Sequence, residues 1–190
     1  MPVCSLILLA GGAGRRMGGV DKGLLPLEGQ PLISHLLSRF AGGHQVLISA
    51  NRNQLAYHAL GSPDIKVCPD LRPDFPGPLA GIEACLPFAQ HDRCVVLPCD
   101  MPWLPENLVQ ALLDARHDRA QISTLHDGER RQPLCMAFSR RHWANNLRDY
   151  LDHGGRSVHG WLDDKPVIDV RVKGKARDFD NLNTPDAWPH

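Results

Sequence analysis

The run from Val3 to Ala10 constrains this chain more than any other stretch. It reads as an apolar strand, and it passes directly into a glycine-rich segment that ends at Gly23. A strand with no polar face fits a sheet covered on both sides, which means parallel strands between layers of helices. The rest of the chain repeats the theme, with short apolar runs alternating with helical periods. Pro31 opens a helix whose apolar positions are Leu32, Ile33, Leu36, Leu37 and Phe40, closed by Gly42 and Gly43. Strands are predicted at Gln45 to Ala50, Ile65 to Cys68 and Arg93 to Cys99. Helices are predicted at Asn53 to Leu60 and at Leu79 to Leu86, where Pro87 ends or kinks the chain. Pro105 is expected to start a helix buried through Leu108, Val109, Leu112 and Leu113. Further on, Ala120 to Leu125 and Pro133 to Phe138 read as strands flanking a polar turn. Ser139 then caps a helix that Gly154 and Gly155 terminate. The expected fold is α/β: one three-layer α/β/α domain with a Rossmann-like, mostly parallel sheet.

Composition narrows the partners. The 190 residues carry 21 Lys+Arg against 21 Asp+Glu, so no global charge draws the chain to nucleic acid or to an anionic membrane. No apolar run approaches the ~20 residues of a membrane span, and the start lacks the features of a signal peptide. A cytoplasmic location is expected, with neither nucleic acid nor membrane as partner. The six cysteines include no C-x-x-C pair and sit in apolar stretches, which predicts buried, reduced thiols.

The loop Leu9 to Gly23, LAGGAGRRMGGVDKG, follows a strand and precedes a helix. Its glycines let backbone N–H groups approach a ligand, and Arg15, Arg16 and Lys22 suit it to polyphosphate. Two familiar loops fail against it. A Walker A motif needs Lys followed by Ser or Thr directly after its last glycine, whereas here Gly19 is followed by Val20, Asp21, Lys22 and Gly23. A dinucleotide fingerprint needs glycine where Met17 stands, and the second strand ends in Ser49-Ala50-Asn51 without an acidic residue for a ribose.

In an open parallel sheet the ligand lies beyond the carboxyl ends of the strands. Asn51 follows the second strand, Asp70 the third and Asp100 the fourth, so parallel strands would bring all three to the rim that carries the glycine loop. Asp100, directly after an apolar strand, suits a hard oxygen ligand for Mg²⁺. The same position also suits the N-cap of the following segment.

The loop matches the nucleotidyltransferase pattern through Leu9, Ala10, Gly11, Gly12, Gly14, Arg16, Met17, Gly18 and Lys22. More narrowly, the chain resembles the molybdenum cofactor guanylyltransferase family. It shares V-D-K at Val20 to Lys22, A-N-R at Ala50 to Arg52, P-G-P-L-A-G at Pro76 to Gly81, and P-C-D-x-P at Pro98 to Pro102. H-D-G-E-R at His126 to Arg130 and N-x-N-T-P at Asn181 to Pro185 complete the set. The resemblance implies a sheet of the nucleotide-diphospho-sugar transferase type, with residues 1–103 as the GTP-binding half and 104–190 as the molybdopterin-binding half. It implies GTP contacts at Leu9, Ala10, Gly11, Gly12, Lys22, Asn51, Asp70 and Asp100, with Gly11 favouring GTP over CTP. Arg16, Lys22 and Asp100 would be catalytic, and Asp100 would hold Mg²⁺, or Mn²⁺ in its place. Arg156, Asn181 and Asn183 would face the acceptor, although the asparagines also suit a turn ahead of Pro185.

The implied reaction is transfer of GMP from GTP to the phosphate of molybdenum-bound molybdopterin, with pyrophosphate leaving. Transient contacts with a molybdenum insertion protein and with apo-molybdoenzymes would follow. Two alternatives remain open at this level: a related CTP-dependent or sugar-phosphate nucleotidyltransferase, and a non-catalytic nucleotide-binding molybdopterin carrier.

Overall fold

The computed structural model describes residues 3–10, 21–61, 65–73 and 77–182. In chain order its elements begin with β1 (Ser5–Leu9), β2 (Pro26–Leu27), β3 (Gln30–Pro31), α1 (Leu32–Phe40), β4 (Gln45–Ser49), α2 (Gln54–Ala59) and β5 (Ile65–Cys68). They continue with α3 (Pro78–Cys85), β6 (Arg93–Pro98), α4 (Leu108–Asp114), β7 (Ile122–His126), β8 (Arg131–Ser139), α5 (Arg140–Asp152), α6 (Val158–Leu162) and β9 (Val167–Val170).

Seven strands form one sheet in the order β5-β4-β1-β6-β8-β7-β9. β8 is antiparallel to both neighbours, β6 and β7, and every other pairing in the sheet is parallel. β2 and β3 pair separately as a small hairpin ahead of α1.

The side-chain alternation of a strand explains why the central runs are apolar along their length. Leu6 and Leu8 of β1, Val46 and Ile48 of β4, and Val95 and Leu97 of β6 point to one face, where α1 and α4 pack. Ile7, Leu9, Leu47, Cys94 and Val96 point to the other, against α3, α5 and α6. Each face is a separate core, and three layers result. α3 presses close to the sheet at Gly81, where a Cβ would collide with the Ser49 side chain. All six cysteines are buried free thiols.

α5 starts as expected, with Ser139 Oγ accepting from the His142 N–H at 3.3 Å. One start differs. The turn at Pro105 closes through a bond from Leu108 N–H to the Pro105 carbonyl at 2.9 Å, and the helix proper begins at Leu108. Asn107, with ψ near 1°, is still outside helical geometry, so Pro105 opens a turn rather than the helix. Among the described residues no helix is long and apolar enough to cross a membrane.

Candidate active site

The register of the sheet fixes which residues share a rim. Leu9 lies opposite Ser49 on one side and Pro98 on the other, and Ser49 lies opposite Cys68. The ladder runs one residue further. Ala10 N–H donates to the Ser49 carbonyl at 3.0 Å, Ala50 N–H to that of Cys68 at 3.1 Å, and Cys99 N–H to that of Leu9 at 3.0 Å. Asn51, Asp70 and Asp100 therefore leave the sheet on one side, flanking Leu9 and Ala10. The ends of β4 and β6 are two strand spacings apart, roughly 10 Å. A purine nucleotide laid across the end of β1 needs about that span between base and α-phosphate. Gly11, Gly12, Arg16 and Asn183 lie outside the described residues.

Two expected residues meet directly. Lys22 Nζ donates to Asp100 Oδ2 at 3.0 Å, with both side chains about one-fifth exposed (20% and 21%). The second oxygen, Oδ1, is buried and has no hydrogen-bond partner among the described residues. The Asp100 backbone carbonyl accepts from Leu182 N–H at 2.9 Å, which ties the late N-x-N segment to the same spot. Asp100 is not a helix cap, since Asn107 occupies that place for α4.

The approach to Lys22 is anchored by residues that sequence reasoning missed. The Asp21 carboxylate accepts from the Tyr57 hydroxyl, and from Asn53 Nδ2 at 3.1 Å. Burial, then the bond to Asp21, pushes the Tyr57 phenol well above its ordinary range. A Cβ on Gly23 would sit 2.5 Å from the Tyr57 hydroxyl and 3.2 Å from Ala10 Cβ, so only glycine fits between the rim and the anchor. The available signal was Tyr57 itself, the one buried side chain of α2.

Asn51 and Asp70 form a closed pair. Asn51 Nδ2 donates to Asp70 Oδ2 at 2.8 Å, and the Asp70 N–H donates to Asn51 Oδ1 at 2.6 Å. Burial raises the Asp70 carboxyl above its usual value, the bond from Asn51 opposes that, and the nearby Glu83 charge adds to it. The pair presents a preset hydrogen-bonding edge beside Ala10.

The two acceptor-side residues lie apart. Asn181 lines a cavity of about 420 Å³ with Asp127, Arg130, Gln132, Phe179 and Asp180, next to the backbone bond that reaches Asp100. Phe179 packs in the α1–α4 core, whereas Arg156 follows α5 in the other helical layer. Arg156 is exposed, and its carbonyl lies 3.8 Å from where a Cβ on Gly77 would stand.

Among the described residues no group of three or more His, Cys, Asp or Glu converges as a metal cage. A single carboxylate with one oxygen unused is instead the donor set Mg²⁺ takes when phosphates and water supply the rest. Asp100 fits that group.

A MobA-like NTP transferase domain matches residues 6–166. The molybdenum cofactor guanylyltransferase of Yersinia pseudotuberculosis serotype O:1b is 41% identical over 186 residues, 96% of this chain and 93% of its own. The chain belongs to the MobA-like NTP transferase family. That of Yersinia pestis is 40% identical over the same share of each chain, which sets this MobA-like transferase among the molybdenum cofactor guanylyltransferases. The fold agrees with a molybdopterin-guanine dinucleotide biosynthesis protein A from Archaeoglobus fulgidus, with a TM-score of 0.75 at 24% identity, covering 96% of this chain and 94% of that one. It also agrees with a nucleotidyl transferase from Methanothermobacter thermautotroptrophicus, with a TM-score of 0.74 at 22% identity, covering 97% and 93%.

Proposed function

We propose that this MobA-like transferase moves GMP from GTP to the phosphate of molybdenum-bound molybdopterin, forming molybdenum-molybdopterin guanine dinucleotide and pyrophosphate. One observation carries the reading beyond family membership. Lys22 and Asp100, remote in sequence, meet at 3.0 Å on the nucleotide rim while Asp100 keeps a buried oxygen unused. Leaving a buried carboxylate oxygen without a partner among the described residues costs about 1–3 kcal/mol, a cost that a bound cation would offset.

Asp100 would hold Mg²⁺, or Mn²⁺ in its place. When bound, the metal would neutralise charge on the α-phosphate and on the departing pyrophosphate. The Asn51–Asp70 edge would accept from the guanine N1–H and N2–H, and the Leu9–Ala10 backbone would lie under the nucleoside. Lys22 would pass from Asp100 to the triphosphate. The attacking phosphate oxygen is already anionic, so the site needs positioning and charge stabilisation more than a strong base. Its bond to the α-phosphorus forms as the bond to the β-phosphate oxygen breaks. The cavity beside Asn181 and the corner at Arg156 would take the acceptor. Residues 1–103 would then form the GTP half and 104–190 the acceptor half of the chain.

Pyrophosphate release in the presence of molybdenum-molybdopterin, measured with GTP and with CTP, tests the reading. Release with GTP at least tenfold faster than with CTP is expected. Preference for CTP contradicts the base assignment, and GTP binding without release contradicts catalysis.

A further inference from the structure

Arg72 sits in the segment between β5 and α3, two residues after Asp70, and its guanidinium reaches two other elements. Its Nε donates to Glu83 Oε2 at 2.6 Å and its Nη2 to Glu83 Oε1 at 2.7 Å, a bidentate pair with α3. The same Nη2 lies 2.7 Å from Asp152 Oδ1, at the last residue of α5. Glu83 is only 7% exposed on a helix otherwise buried by apolar residues, so its charge needs the fork-shaped partner that arginine supplies. Asp152 is more than half exposed, which makes the second contact the weaker one.

The placement matters because of what lies on either side. Asp70 makes the closed pair with Asn51 at the base end of the site. Asp152 is four residues before Arg156, and the Arg156 carbonyl lies against Gly77, where the Arg72 segment enters α3. The segment is thus tied to the end of α5 by the Arg72–Asp152 ion pair, and Gly77 leaves room beside the Arg156 carbonyl. Neither Glu83 nor Asp152 lies at the end of a rim strand, so the network serves the site through the backbone it fixes and through the Glu83 charge that helps raise the Asp70 carboxyl.

We propose that Arg72 is a positioning residue that locks the Asp70 segment and the Arg156 corner into one unit, setting the nucleotide edge and the acceptor edge in register. The inference rests on the nucleotidyl-transfer reading above. Arg72 touches neither substrate. Its loss loosens binding at both edges while leaving the Lys22–Asp100 chemistry in place.

The test compares KM for GTP, KM for molybdenum-molybdopterin, kcat and Tm in the wild type and three variants. Arg72→Gln alone strands the Glu83 charge and lowers Tm. The double variant Arg72→Gln/Glu83→Gln removes both charges at nearly constant volume, so Tm returns towards the wild type. If Arg72 positions the two edges, the double variant still shows KM values raised about tenfold for GTP and about fivefold for the acceptor, with kcat within about twofold. Asp152→Asn cuts only the exposed arm, and is expected to raise KM for the acceptor about threefold with that for GTP unchanged. A thermally restored double variant with wild-type KM values shows that Arg72 serves stability alone and overturns the inference. Wild-type protein that forms no dinucleotide overturns the nucleotidyl-transfer reading, and this inference with it.

Discussion

Replacing Asp100 by Asn separates function from folding more sharply than any other change. The substitution keeps size and shape while removing the charge. At 3.0 Å and an effective dielectric near 20, Lys22 and Asp100 attract by roughly 5–6 kcal/mol before desolvation. Partial exposure and lost hydration reduce the net value to about 1 kcal/mol. Against it stands Oδ1, which has no partner among the described residues and whose burial costs about 1–3 kcal/mol. Asn keeps a neutral polar atom at that buried position, so only part of this cost is relieved, and Asp100→Asn should alter stability by no more than about 1 kcal/mol, a Tm shift within about 2–4 °C. Turnover depends on the charge itself, and losing one such electrostatic group costs at least ~10²-fold, about 2.7 kcal/mol of barrier. The assay is Mg²⁺-dependent pyrophosphate release beside a calorimetric scan of the same sample. A folded variant with near-normal turnover refutes the argument. So does a loss of stability well above 1 kcal/mol, which would make Asp100 a structural residue.

Lys22→Ala should also lower turnover at least ~10²-fold, with Tm little changed, by the same paired assay. Gly23→Val should push the Tyr57 hydroxyl and Ala10 apart, costing about 1–3 kcal/mol and raising KM for GTP, as calorimetry and kinetics would show. Ser139→Ala removes the α5 cap and the bond to the Asp92 carboxylate, both far from the rim; about 1–3 kcal/mol of stability should be lost with kcat unaffected. Burial pushes the Cys4 and Cys94 thiols up to about 12, so at pH 8 both stay protonated in the folded chain. The hydrogen bond with Cys85 pulls the Cys68 thiol down instead, but all six are buried, so a disulfide reagent should titrate almost no thiol natively and all six cysteines in guanidinium.

Much of the fold was legible because its central strands are buried on both faces. β1 and β6 announce themselves as apolar runs, and α1 shows a clean helical stripe against one core. Elements that rely on partners distant in sequence were not legible. β9, Val167–Val170, is a short edge strand with one residue buried and an Asp in its middle, so it carries neither alternation nor a continuous run. α6 is five residues long and is held by Trp161, which packs edge-on against Phe138 and Trp143 at centroid distances of 6.1 and 6.2 Å. Too short to show a period, it depends on that packing.

The site divides in the same way. Asp70, Asn51 and Asp100 could be found because each ends an apolar strand, and parallel topology then dictates a shared rim. The Asp21–Tyr57 anchor and the Arg72–Glu83–Asp152 network join residues far apart in the chain, with no spacing rule to betray them. They support the site rather than compose it, and three-dimensional packing alone brings them together.

The most direct test follows the phosphorus. Incubate the enzyme with Mg²⁺, molybdenum-molybdopterin and GTP labelled either at the α- or at the γ-phosphate, then identify the products by mass spectrometry and label. The account requires the α-label in a molybdopterin guanine dinucleotide and the γ-label in pyrophosphate. Labelled inorganic phosphate with GDP, or no label joined to the pterin, would contradict it.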